Sequence, residues 1–165
     1  PIWGCKAHVL VLRLRDQVFR CSEVAPPQRG TPKGFRIPLW IVKLGSSRFP
    51  DEGTRIGTVR RPPRGVPKIE FASGNWFDVW YPNLAPSAET MKLGQAVETE
   101  AQWQAFAKAF RREMKEPDTS RSIELLAALS KTSHFSVGCY CDNEARCHRS
   151  ILKQLLQEAG ASIVE

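Results

Sequence analysis

With 165 residues, 42% of them hydrophobic, the chain is long enough to bury one core and points to about one domain. No apolar run approaches the roughly 18 residues a membrane-spanning helix needs, which excludes a helical span. The net charge of +7 invites a nucleic-acid reading, but residues 1–36 hold seven Lys/Arg against only Asp16 and Glu23. Most of the excess lies there, so charge alone selects no partner for the remainder.

In chain order, residues 1–40 read as an N-terminal extension outside the core and residues 41–165 as the domain. The extension scatters arginines and two cysteines, Cys5 and Cys21, ahead of a Pro/Gly-rich linker over 25–34. Its most apolar piece, residues 7–14, is broken by Arg13 and lacks a small-residue cleavage pattern. It is not read as a signal peptide, and the cytoplasm is the expected compartment. Five cysteines in such a chain argue against a disulfide framework.

Residues 40–44 and 54–59 read as short strands. The stretch from Arg60 to Lys68 carries Pro62, Pro63 and Pro67, so it is a basic loop that cannot be helical. Residues 77–81 read as a third strand, with aromatics at alternating positions. Ser87 is placed to cap a helix running to about residue 96, with Glu89 in its first turn. Residues 98–115 give the clearest helix: Trp103, Phe106, Phe110 and Met114 recur at core spacing, while Lys108, Arg111 and Arg112 face outward. Pro117 ends it, and Thr119 or Ser120 caps a shorter helix with Ile123, Leu126 and Leu129 inward.

The informative stretch is 133–160. Residues 134–140 read as a buried central strand, residues 142–145 as a polar turn. A helix follows with Ile151, Leu152, Leu155 and Leu156 on one face and Gly160 at its end. Residues 162–164 are expected to add an edge strand. This order predicts an α/β fold: a mainly parallel sheet flanked by helices, with strand 134–140 beside strand 54–59. Ligands of such sheets bind beyond the carboxyl ends of the strands, which puts the chemistry after residue 139.

Three readings compete there. Cys147 and His148, at a helix start beside Arg149, combine a thiol favoured by positive potential with a proton carrier and a guanidinium. Adjacent helical residues diverge by about 100°, so both face one ligand only across an irregular turn. On this reading Cys147 and His148 are the catalytic candidates. Arg60, Arg61, Arg64, Tyr81, Arg146, Arg149 and Ser150 bind a phosphate-bearing ligand, a nucleotide or a nucleic acid. Trp80 is a second candidate for stacking a base. Arg60 or Arg64 is then expected to approach Cys147, His148 or Arg149, with the Cys147 thiol partly accessible.

The second reading is a metal-binding module. Cys139, Cys141, Cys147 and His148 are a Cys3His set of the donor types zinc takes, although their spacing is not that of zinc knuckles. Cys139 and Cys141 are spaced at the edge of disulfide reach if both lie in a strand, whereas Cys147 can approach either across the turn. In the third, a cysteine followed five residues later by arginine resembles the active loop of rhodanese-type sulfurtransferases. Here Asp142, Asn143 and Glu144 stand where small residues would cradle an anion.

The segment from Cys139 to Ser150, Cys-Tyr-Cys-Asp-Asn-Glu-Ala-Arg-Cys-His-Arg-Ser, resembles the C-terminal signature of DUF family 488, a group of bacterial proteins. The stretch from Arg55 to Lys68, with its Pro-Arg-Gly loop, and the stretch from Phe77 to Ser87 are similar to the family's first strand and following segment. The resemblance covers roughly residues 41–160. It implies an α/β, Rossmann-like fold and leaves the reaction open.

Overall fold

Short apolar and β-branched runs become strands in the computed structural model, which describes residues 39–164. They are β1 (Leu39–Lys43), β2 (Thr54–Gly57), β3 (Val79–Trp80) and β4 (Phe135–Cys139). All pair in parallel, in the order β1-β4-β2-β3. Every residue of β4 is buried, as a strand covered on both faces must be. Val137 pairs with Ile41 on one side and Ile56 on the other, so β4 is central and adjoins β2 as expected. The expected extension falls on residues outside those described, apart from Leu39 and Trp40, which open β1.

Alternation along the strands divides the core in two. Leu39, Phe135 and Val137 face helices and pack with Phe106, Phe110, Ile123, Leu126, Ile151 and Leu152. Val42, Leu44 and Val59 form a second cluster with Phe77, against which Phe71 and Trp76 pack. Gly57 and Gly138 lie where that second layer presses closest. A Cβ on Gly57 would stand 2.5 Å from the Phe77 ring, and one on Gly138 2.6 Å from Leu44 Cδ2.

A buried polar network fixes the loops around this second layer. Arg55 is fully buried and pairs with Glu52 at 2.6 Å, while Ser136 of β4 donates to the same carboxylate. The guanidinium also donates to the carbonyls of Ser46 and Asn75, tying the loop after β1 to the turn before β3. Such a pair is tolerated in a low-dielectric interior because its hydrogen-bonding capacity is filled.

The helices are α1 (Ala88–Gln95), α2 (Glu100–Glu113), α3 (Pro117–Leu129) and α4 (His148–Glu158). Ser87 caps α1 as expected. Thr99 and Gln102 form a reciprocal capping box at the start of α2. Pro117 does not merely end α2. It occupies the first position of α3, where its missing N–H costs nothing, and the expected caps Thr119 and Ser120 lie inside the helix. Leu129, expected inward, is 40% exposed. The third strand shrinks to two residues, and the expected edge strand to a single bridge between Leu39 and Ile163. Among the described residues no helix is long and apolar enough to cross a membrane.

Candidate anion cleft and thiol cluster

Parallel strands deliver their following loops to one edge of the sheet, and here those loops enclose a cleft of about 940 Å³. Its walls come from the ends of β1 and β2, from α1, and from the segment leading out of β4 into α4. The wall after β2 is the Arg60–Arg64 arch. Pro62 and Pro63 remove amide donors and fix φ, which keeps this segment out of sheet and helix, and Gly65 turns the chain at φ +73°. Trp80 Nε1 donates to the Val59 carbonyl at the base of the arch, and the Tyr140 hydroxyl donates to the Arg61 carbonyl.

Arg60, Arg61 and Arg64 all line the cleft, joined by Lys43 from β1 and Lys92 from α1, and among the described residues no acidic side chain lines it. Lys43 is paired with Asp142. Among the described residues none of the other four is in a salt bridge, although Arg60 adds to the hydrogen bonds from Ser87 and Thr90 that hold the Glu113 carboxyl below its usual range. Trp76 and Tyr140 supply an aromatic wall, edge to face at 5.7 Å.

The floor is sulfur. Cys139 ends β4, the chain bends at Tyr140, and Cys141 turns back so that the two sulfurs lie 3.6 Å apart. Cys147 closes the group: its sulfur and the other two all lie within 4.8 Å of one another. All three cysteines are free. Cys139 and Cys147 are buried, while Cys141 is exposed and, with Cys139, lines the cleft. Three thiols in contact cannot all ionise. Hydrogen bonds from Cys139 and then Cys147 hold the Cys141 thiol far below its usual range, with the Arg149 guanidinium assisting. The same contact with Cys141 pushes Cys139 up to about 11, and contacts with Cys139 and Cys141 push Cys147 up as well.

Cys147 is the N-cap of α4, with extended backbone at φ −128° and ψ 147°, and its sulfur accepts the Arg149 N–H at 3.5 Å. This is the irregular turn that lets consecutive residues face one place: Cys147 Sγ stands 3.8 Å from His148 Nδ1. His148 is buried, and burial pushes its imidazole below the usual pKa, so the neutral ring donates Nε2–H to the Thr58 carbonyl at 2.8 Å. The expectation of a partly accessible Cys147 is corrected, because that thiol is only 2% exposed. His148 reaches the cleft, and Cys141 is the thiol that opens to it.

Four other candidates lie away from the cleft wall. Arg149 is buried, donating to the carbonyls of Val42 and Cys139, with Glu144 3.8 Å away, so it braces the ends of β1 and β4. Arg146 precedes the helix, pairs with Glu100 at 2.8 Å and lies over the Trp103 ring. It therefore does not share a helical side with Arg149. Ser150 returns its hydroxyl to the Cys147 carbonyl, and Tyr81 shares a hydrogen bond with Ser122 of α3. Trp80 is held at the arch by its indole N–H, and Trp76 is the tryptophan that lines the cleft. In the turn after Cys141, Ala145 N–H donates to the Asn143 side chain and Cys147 N–H to the Glu144 carbonyl. Those two amides are spent within the turn and cannot cradle an anion as a sulfurtransferase loop does.

Lys43, Lys92 and Tyr140 escaped the sequence reading, and Trp76, which had the same aromatic signal as Trp80 and Tyr81, was assigned to the core instead. Of the first three only Lys43 carried a signal, as a cation at the end of a strand. With this geometry in place, comparison with known families is decisive: residues 39–160 match the model described as DUF488-N3a, the active DUF488-N3 subclade. The chain belongs to the DUF488 family. No curated protein and no solved structure matches it. Within this DUF488 domain the Cys139, Cys141 and Cys147 cluster has a donor set able to hold a metal ion, and His148 falls outside the group whose ligand atoms converge within 4.8 Å.

Proposed function

We propose that the cleft binds a small phosphate-bearing ligand, a nucleotide in preference to a nucleic acid. The observation that carries this reading is the lining itself: among the described residues, five cationic side chains from three elements of the fold and no acidic one. Lys43 is paired with Asp142, but the other four have no salt-bridge partner among the described residues, and cations gathered this way repel one another. An anion relieves that repulsion, and guanidinium groups meet phosphate oxygens with short, paired, charge-assisted bonds. The cleft volume of about 940 Å³ falls in the range of small-molecule sites, and the Trp76 and Tyr140 rings offer a base a face to lie against. A polymer would call for a longer basic track, since its affinity grows with the number of phosphates contacted.

A thermal-shift comparison of ADP with adenosine tests the proposal. ADP should raise the melting temperature and adenosine should not, and the rise should vanish in the Arg60→Ala/Arg64→Ala double variant. No response to any nucleotide, or a response the double variant retains, would overturn it. A single-stranded oligonucleotide that stabilises the protein more than ADP would shift the ligand class to the polymer.

A further inference from the structure

The floor of the cleft carries chemistry that phosphate binding does not use. Three cysteine sulfurs converge from separate local elements: the last residue of the central strand, the bend after it, and the cap of α4. We propose that Cys139, Cys141 and Cys147 together hold a soft divalent cation, zinc by the chemistry of the donors, beneath the anion cleft. This inference does not rest on the phosphate reading, because the two sites share no ligand.

Distance is the first argument. Zinc–sulfur bonds of about 2.3 Å in a tetrahedral site place neighbouring sulfurs about 3.8 Å apart. Cys139 and Cys141 stand at 3.6 Å, and no pair in the group exceeds 4.8 Å. The second argument is the donor type. Three thiolates without a carboxylate select zinc and other thiophilic ions over magnesium or calcium, which take oxygen.

The surroundings of the sulfurs are the third argument. Metal-bound sulfur and imidazole are held by a further layer of hydrogen bonds, and both kinds are present. The Arg149 amide donates to Cys147 Sγ, and His148 gives its Nε2–H to a backbone carbonyl, which turns Nδ1 toward Cys147 Sγ at 3.8 Å. The buried Arg149 guanidinium, bonded to the Cys139 carbonyl, offsets the net negative charge of three thiolates around one divalent ion. Such a site would lock the turn at 142–146 between β4 and α4, and so hold that wall of the cleft.

The test is metal analysis of protein purified without chelator or metal-affinity resin, together with titration of the stripped protein with cobalt(II). The expected result is stoichiometric zinc, and on titration a stoichiometric visible spectrum carrying thiolate-to-cobalt charge transfer. Cys139→Ser should lose both signals. Cys141→Ser should lose both while remaining folded by circular dichroism, since Cys141 is exposed. Arg60→Ala/Arg64→Ala should keep the metal even where nucleotide binding is lost, which separates the two sites. A metal-free protein that gives no thiolate-to-cobalt band, or metal retained by both cysteine variants, would overturn the proposal.

Discussion

His148, the first residue of α4, donates its Nε2–H to the carbonyl of Thr58, 90 positions earlier, at 2.8 Å. The bond clips the helix that carries the cysteine turn to the start of the arginine arch, so the two halves of the cleft are held in register. His148→Ala should leave the buried Thr58 carbonyl short of a partner and remove the ring packed edge-on against Phe110. The expected loss is about 2–4 kcal/mol of unfolding free energy. Urea denaturation checks this, and a variant within error of the parent would show that the clip carries no stability.

Arg149 and Arg64 both lie near the cleft, the first buried and the second exposed, and the proposed function gives them different roles. Arg149→Ala takes a donor from the Val42 and Cys139 carbonyls, the latter keeping the Leu44 N–H, and should destabilise the fold by about 2–4 kcal/mol. Arg64 is exposed, and Arg64→Ala should leave stability unchanged within about 0.5 kcal/mol. Its effect belongs to the ligand, with ADP affinity falling about tenfold for one lost charge-assisted contact. Calorimetric titration and denaturation of both variants separate bracing from binding.

The Glu52–Arg55 pair predicts a pH dependence. Burial alone would raise the Glu52 carboxyl, but bonds from Arg55, Ser136 and the Phe49 amide outweigh it and leave the carboxyl below its ordinary 4.5. The unfolded chain therefore takes up a proton on Glu52 at higher pH than the folded one. The pair's contribution is complete above about 4.5 and is lost as pH falls from there through the folded value. Denaturation from pH 7 to 3 should show the parent losing stability more steeply than Glu52→Gln. At pH 7 that variant, which leaves Arg55 buried without its counter-charge, should be less stable by about 3–5 kcal/mol. Parallel pH profiles would contradict the assignment.

The strand–turn–helix unit and the central place of β4 were legible because local apolar patterning and the parallel-sheet rule agree there. The arginine arch was legible too, since Pro62 and Pro63 deny it regular structure whatever surrounds it. What local pattern cannot show is which way a polar side chain turns. Arg146 and Arg149 look alike in sequence, yet one meets Glu100 on α2 and the other is buried against β1 and β4. The same limit hid the exchange between Trp76 and Trp80, which depends on the Val59 carbonyl across the sheet edge. Cys147 carried a helix-start signal that was correctly read, but its burial follows from Val42, Leu44, Val59 and Phe77, all more than 60 positions away.

If the arch holds phosphate, its arginines respond to ADP directly. The most direct measurement is a nitrogen-15 spectrum of the arginine Nε and tryptophan Nε1 groups during titration with ADP. Saturable shifts are expected at Arg60, Arg61 and Arg64 and at Trp76, with Arg112, exposed on α2, and Arg111, paired with Glu158 of α4, unmoved. Shifts confined to α2, or none at any arch arginine, would contradict it.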